Sequence, residues 1–240
     1  IYALRLRRAT DRASFYLEEK EAQDVSEDRG LAPLLQRARE ESISVRPLSF
    51  VTNAPARDIC DVAEVKHADI VLLGWHKPLL AGTMLSGTVH DVMESAPSAV
   101  GVFVDRGLDT VKRVLVPHLG REHDAAALAI AKRIAKSTDA QVTVLHVLSS
   151  GGAAPHSLGD VGQSVAVVTT DDVSPIDAAT RESANGYDLV VIGIGQAWGL
   201  EHRSFGLRTE AILRSCPTSV LVVRGPVREP AESKAQRATH

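Results

Sequence analysis

Two hydrophobic periods alternate along this chain. Short runs dense in Val, Leu and Ile (residues 1–6, 43–51, 70–73 and 99–104) are separated by stretches whose apolar residues recur every three or four positions. The runs predict strands buried on both faces, and the spaced stretches predict helices with one buried face. Leu31, Leu34, Leu35 and Ala38 form one such face, Ala56, Ile59, Cys60 and Ala63 a second, and Val89, Val92, Met93 and Ala96 a third. Pro33 and Pro55 fit helix first turns, where the missing N–H costs nothing. The acidic tract Glu18, Glu19, Glu21, Asp24, Glu27 and Asp28 reads as a solvated surface.

The alternation restarts after a short linker. Residues 113–117, 141–148, 165–168 and 188–193 read as strands, and residues 124–137 as a strongly amphipathic helix carrying Leu128, Ala131, Ile134 and Ala135. Residues 149–162 hold four glycines and a proline, which predicts a loop where the first half has its Leu31–Ala38 helix. A second helix starts at Pro175. The segment from 225 to 240 is polar and proline-bearing, and is predicted disordered.

The halves overlay as copies. Asp69-Ile-Val-Leu-Leu-Gly74 matches Asp188-Leu-Val-Val-Ile-Gly193 at an offset of 119, and the glycine pairs Gly74/Gly87 and Gly193/Gly206 are both separated by 13 residues. An offset of 120 then places Val92, Met93, Ala96, Pro97 and Val100 on Ile212, Leu213, Cys216, Pro217 and Val220. Agreement in helix face, helix-ending proline and strand indicates an internal duplication. The expected organisation is a first lobe over residues 1–105, a linker over 106–111, a second lobe over 112–224 and the tail over 225–240. Each lobe is predicted to be a doubly wound α/β layer structure.

Composition narrows the function classes. The 240 residues are 44% hydrophobic and 24% charged, with 27 basic against 30 acidic side chains, so no basic footprint for nucleic acid or a membrane surface is present. No apolar run is long enough to span a bilayer, so this stretch is not expected to insert into a membrane. Cys60 and Cys216 lie far apart in predicted helices, which suits buried thiols in a reducing, cytoplasmic compartment. The chain starts at Ile1 inside a strand-like run, as a fragment of something longer would.

Arg113-Val-Leu-Val-Pro117, the helix from Asp124, Val142-Thr-Val-Leu-His-Val147 and the closing strand–glycine–loop–glycine–helix–strand unit resemble the universal stress protein domain, an adenine nucleotide alpha hydrolase-like fold. In the first half, Arg12-Ala-Ser-Phe-Tyr-Leu17, Pro47-Leu-Ser-Phe-Val51, Ala68 to Pro78 and Gly87-Thr-Val-His90 resemble the cytosolic C-terminal region of monovalent cation:proton antiporters. That resemblance implies a membrane transporter domain in the same polypeptide, followed by a tandem pair of stress-protein-like lobes at the cytosolic face. It also implies the strand order 3-2-1-4-5, with a ligand crevice between strands 1 and 4. The second lobe has all five strands, whereas the first lacks its initial central strand and helix. Its sheet is therefore expected to be open or rearranged, to close strand 4 on strand 2, or to rely on a partner.

Nucleotide-binding members of the family carry a Gly-x2-Gly-x9-Gly-Ser/Thr phosphate loop. The candidate ligand-binding residues follow that register: Gly74, Lys77, Gly87 and Thr88 in the first lobe, and His118, Gly193, Gly195 and Gly206 in the second. Both loops depart from it, with Lys77 and Gln196 at the second glycine and Leu207 at the hydroxyl, while His118 replaces the aspartate that contacts the base. Thr88 with Asp91 also fits a capping box, which ranks ahead of ATP binding. The candidate ligands are ATP, AMP or a cyclic dinucleotide, bound weakly or not at all.

No catalytic set is expected. His118, Glu122, His123 and Asp124 match no zinc spacing, and Ser86, His90 and Asp91 lack the geometry of a nucleophile, base and orienter. The leading expectation is a non-enzymatic regulatory or ligand-sensing module of an antiporter. The alternative is a free-standing tandem stress protein that binds ATP. The edge strands 99–104 and 219–223 are free to pair across lobes or chains, so a homodimer is a further expectation.

Overall fold

The computed structural model describes residues 1–8, 28–75, 87–118, 122–147, 165–170, 175–195 and 212–226. Its strands are β1 (Tyr2–Arg8), β2 (Arg46–Thr52), β3 (Ile70–Gly74), β4 (Ala99–Val104), β5 (Arg113–His118), β6 (Gln141–Val147), β7 (Val165–Thr170), β8 (Leu189–Ile194) and β9 (Ser219–Arg224). Its helices are α1 (Ala32–Glu40), α2 (Pro55–Val65), α3 (Gly87–Ser95), α4 (Glu122–Thr138) and α5 (Pro175–Ser183), and residues 212–215 are also helical. Among the described residues no helix is long and apolar enough to cross a membrane. The tail from 227 and the glycine-rich stretch 149–162 lie outside the described residues.

Contacts divide the chain into two compact units, Ile1–Val62 and Ala63–His240. In the first, β1 and β2 form a two-stranded parallel sheet with Tyr2 opposite Arg46 and Arg8 opposite Thr52. Asp28 ties it together: its carboxylate accepts from Gly30 N (2.8 Å) and Ser49 Oγ (2.9 Å) and pairs with Arg5. Burial raises the Asp28 pKa, but those hydrogen bonds and the Arg5 charge outweigh it and hold the carboxyl below its ordinary range. Asp28 is thus a structural anchor, not part of a solvated acidic face. Leu31, the N-cap of α1, and Ala38 within it are buried as expected, but Leu34 is 51% exposed and faces away from the packed side.

The second unit is built on a seven-stranded sheet of order β3-β4-β9-β8-β5-β6-β7. Strands β7-β6-β5-β8-β9 are parallel throughout and reproduce the order 3-2-1-4-5. The first-half strands fall in two sheets: β1 pairs with β2, and β3 with β4. The first half therefore has the rearranged sheet, with no strand corresponding to β5 among the described residues.

Alternation along the strands builds the core. Val114, Val116, Val142, Val144, Leu189, Val191, Leu221 and Val223 point to one face and pack with Ala127, Leu128 and Ala131 of α4. The other face, with Leu115, Leu145, Val190, Ile192, Val220 and Val222, is buried as well. Sheets buried on both faces need strands apolar at nearly every position, which is why β8 and β9 read as continuous Val-Leu-Ile runs.

The two halves meet at β4 and β9, which pair antiparallel with Val102 opposite Val222. Those two residues are related by the sequence offset of 120, so the pairing has an approximate two-fold relation at its centre: Val100 faces Arg224 while Val104 faces Val220. Helix ends are closed across this seam in both directions. Arg224, 1% exposed, donates to Ala96 O at 2.9 Å just beyond α3, and Arg106 donates to Leu213 O in the helical residues 212–215. Cationic donors suit the unpaired carbonyls and negative dipole of a helix C-terminus. The expected linker is ordered here: Asp105 accepts from Gly107 N (2.9 Å) and Leu108 N (3.0 Å), and Arg106 N donates to Ser219 Oγ (2.8 Å).

Removing the guanidinium of Arg224 leaves buried carbonyls without their donor. Arg224→Met is expected to lower the unfolding free energy by about 2–3 kcal/mol, measured by urea denaturation of the 240-residue chain.

Candidate functional site

The α4 face of the sheet ends differently from the way it begins. Successive layers Val114/Val142/Leu189 and Val116/Val144/Val191 are apolar, and the next layer is His118/His146/Gly193. His118 and His146 are register partners on β5 and β6, with ring centroids 6.1 Å apart. Both are buried, at 7% and 8% exposure. Two strands thus carry the same pattern, Val114-Leu-Val-Pro-His118 and Val142-Thr-Val-Leu-His146. That shared Val-x-Val-x-His was the available signal for His146, which the motif reading passed over.

The first turn of α4 lies above this layer. Asp124, its side chain 4% exposed, stands 3.9 Å from His118 Nδ1 and 3.8 Å from His123 Nε2. An acidic side chain in a helix first turn is favoured by the helix dipole. Burial lowers the His118 pKa below the ordinary histidine value; Asp124 opposes that shift and His146 reinforces it. The Nδ1 of His146 is buried and has no hydrogen-bond partner among the described residues.

The two strands flanking the topological switch point diverge at this end. β5 pairs with β8 only through Val114–Leu189 and Leu115–Val190, whereas β5 with β6 and β8 with β9 stay in register over six positions each. A crevice at the carboxyl ends of such strands is where doubly wound sheets take ligands. At its β8 side, a Cβ on Gly193 would stand 2.2 Å from His123 O, and one on Gly195 3.0 Å from His123 Nδ1. These glycines let the start of α4 approach the strand end, a packing reason that operates beside any role toward a ligand.

The first-half candidates differ. Among the described residues, a Cβ on Gly74 or Gly87 would meet nothing within 4 Å. Gly74 ends β3, and Gly87 is the first residue of α3, so Thr88 lies one position inside the helix and not at its cap. The sheet order places β4 and β9 between β3 and β8, so Gly74 and Gly193 end strands three places apart. Of the eight sequence candidates, His118, Gly193 and Gly195 come together around the α4 start. Lys77 and Gly206 lie outside the described residues. Among the described residues no three His, Cys, Asp or Glu side chains converge on a metal position. His90, 7% exposed, sits beside Asp91 on α3 with Nδ1 3.3 Å from the carboxylate, adjacent positions on one helix and not a triad.

Asp188, the first residue of the second repeated stretch, accepts from Lys112 N and Arg113 N at 2.8 Å each. It secures the start of the central strand to β8. Asp69, its counterpart, has no such strand to secure among the described residues.

Comparison with known proteins follows the same division. Residues 1–108 match the family model of the plant cation/H(+) antiporter domain. The chain resembles the stress-protein-like region of cation:proton antiporters. Cation/H(+) antiporter 17 of Arabidopsis thaliana is 27% identical over 191 residues, covering 66% of this chain and 23% of that protein. Cation/H(+) symporter 13 of the same plant is 31% identical over 117 residues, covering 42% of this chain and 14% of that protein. The chain therefore spans less than a quarter of these curated relatives. Among solved structures, a universal stress protein from Archaeoglobus fulgidus superimposes with TM-score 0.68 at 19% identity, over 95% of this chain and 86% of that one. A universal stress protein from Pseudomonas aeruginosa gives TM-score 0.58 at 16% identity, over 93% and 92%. The fold is thus universal-stress-protein-like, and the sequence relationship is to the antiporters.

The glycine contrast is directly measurable. Gly193→Ala forces a Cβ into the α4 backbone and is expected to lower stability by about 1–3 kcal/mol. Gly74→Ala, with no described atom within 4 Å of the added Cβ, is expected to change stability by less than about 0.5 kcal/mol, as an ordinary surface substitution does. Parallel urea titrations of the two variants check both.

Proposed function

We propose that this chain is a non-enzymatic regulatory, ligand-sensing module of a cation:proton antiporter, joined to a membrane transporter domain and working at its cytosolic face. The observation that carries this reading is the pairing of an antiporter sequence relationship with a stress-protein fold: the family match covers residues 1–108, and a similar antiporter aligns over 191 residues. Such a module regulates by having two arrangements that an effector favours unequally. The crevice where β5 and β8 part is the place for that effector. Its ligand is an adenine nucleotide, ATP or AMP, or a cyclic dinucleotide, held weakly because His118 and the departures at Lys77, Gln196 and Leu207 remove parts of a nucleotide site. His118, Gly193, Gly195 and Gly206 would line the second-half site, and Gly74, Lys77, Gly87 and Thr88 belong to its first-half counterpart.

A second reading, a free-standing tandem stress protein that binds ATP, is favoured by one observation: the A. fulgidus protein overlays 95% of the chain. The two readings separate in a transport assay. In vesicles bearing Cation/H(+) antiporter 17 with its matched region replaced by this chain, cation-driven proton flux is expected to respond to one of ATP, AMP or cyclic dinucleotide. Calorimetry of the chain alone is expected to show binding of that same ligand. The response is expected to disappear with Gly206→Trp. Tight ATP binding without any effect on flux would overturn the module reading in favour of the second, and flux independent of every ligand would overturn ligand sensing.

A further inference from the structure

Strand β3 ends the seven-stranded sheet, and the second half shows what its own copy of that strand carries. Asp188 to Gly193 repeats Asp69 to Gly74 at the offset of 119, so β8 and β3 can be compared residue by residue. Val191 packs beneath α4 at 0% exposure, whereas its counterpart Leu72 is 64% exposed. β8 lies between β9 and β5, whereas β3 has β4 on one side and no described strand on the other. We infer that the free flank of β3, with Asp69, Leu72 and Gly74, is a docking surface for a strand followed by an amphipathic helix, supplied by a segment that precedes Ile1 in the same polypeptide.

Each of the three residues fits that occupant. β3 and β4 are parallel, from Ile70 opposite Ala99 to Gly74 opposite Phe103, and parallel strands occur where both faces are covered. A Cβ on Gly101 would stand 3.1 Å from Leu221 Cδ1, 3.2 Å from Leu72 Cδ1 and 3.6 Å from Ile70 Cδ1, so these side chains share one face. Leu221 belongs to the core under α4. Leu72 thus looks to the side of the sheet that a helix covers in the second half, and is open there. Gly193 is bare because a Cβ would stand 2.2 Å from His123 O at the start of α4; Gly74 has no described atom within 4 Å of such a Cβ, which leaves room for a helix start. Asp188 accepts from Lys112 N and Arg113 N, at the start of β5. Asp69 is exposed at the equivalent position, where it can take the first amides of an incoming parallel strand. The N–H and C=O groups along the free flank supply the rest of the ladder.

Chain order selects the source. β2 falls on β7 at the offset of 119, Arg46 on Val165, so β1, its parallel neighbour, stands in the order where β6 stands. In the second half the strand that flanks β8 and the helix that covers it, β5 and α4, come before β6. The equivalent unit of the first half therefore comes before β1, with a length of about 30 residues, as a strand, a helix and their connections require. A second copy of this chain has no such unit to spare, because its β5 and α4 are held in its own sheet. The docking surface rests on the internal repeat and not on the module reading above.

Thiol labelling tests this on two proteins, the 240-residue chain and the same polypeptide extended upstream of Ile1 by about 40 residues. With Cys60 and Cys216 replaced by Ser, Leu72→Cys is expected to react freely in the shorter protein and about tenfold more slowly in the longer one. Val167→Cys, at an exposed position on β7 at the far end of the sheet, is expected to react alike in both. Equal labelling of Leu72→Cys in the two proteins would overturn the docking surface. So would protection in the shorter protein that grows with its concentration, the mark of a second copy on this face. Amide hydrogen exchange needs no substitution: protection at Ile70–Leu73 is expected to rise about tenfold in the longer protein while that of Val165–Val168 changes little. No rise at β3, or an equal rise at β7, contradicts the proposal. Neither readout involves nucleotide or transport, so failure here leaves the module reading standing, and a failed flux assay leaves the docking surface standing.

Discussion

The antiparallel pairing of β4 with β9 is the contact on which the larger unit depends. Each strand would be the bare edge of a parallel sheet, with Val100, Val102, Val220 and Val222 all fully buried and unpaired N–H and C=O groups along one side. Joining them removes both edges at once. The pairing centres on Val102 and Val222, equivalent positions in the repeat, so one geometry serves both halves. Arg224 and Arg106 extend the same relation beyond the strands, each reaching a helix end on the other side of the seam.

From that seam outward the halves diverge, because only the second has a central strand among the described residues. With β5 in place, Asp188 has backbone amides to hold, α4 has a sheet to cover, and Gly193 must be bare to admit it. Without such a strand, Asp69 and Gly74 keep the sequence pattern but not its mechanical reason, and a Cβ at Gly74 would meet none of the described residues within 4 Å. The same residue types therefore carry different meanings in the two copies. A repeated strand–glycine unit is first a rule for packing a helix start onto a strand end; its use toward a phosphate is a second demand laid on the same atoms.

Much of the fold was legible because its signals are local or periodic. Continuous Val-Leu-Ile runs marked β8 and β9, the spacing of Leu128 and Ala131 marked the buried face of α4, and the open edges of 99–104 and 219–223 marked them as free to pair across lobes or chains, of which the pairing across halves is found. Less legible were features that need a neighbour to be known. Leu34 fits the helical spacing yet faces outward, and Asp28 sits in an acidic tract yet anchors β1 and β2 through Arg5 and Ser49. At the site, His118 was singled out by its position in a motif, whereas His146 became visible only through register, as the residue opposite His118. The alternation Val-x-Val-x-His in both strands contained that information, and motif spacing alone did not extract it.

The intrachain seam can be tested most directly by cross-linking its centre. Val102→Cys with Val222→Cys places two thiols on register partners in the antiparallel pair; with Cys60 and Cys216 replaced by Ser, mild oxidation should yield a disulfide within one chain, seen as a monomer of increased gel mobility that reverts on reduction. A disulfide formed only between chains, or none under conditions that oxidise exposed thiols, would contradict the pairing of the two halves within one molecule.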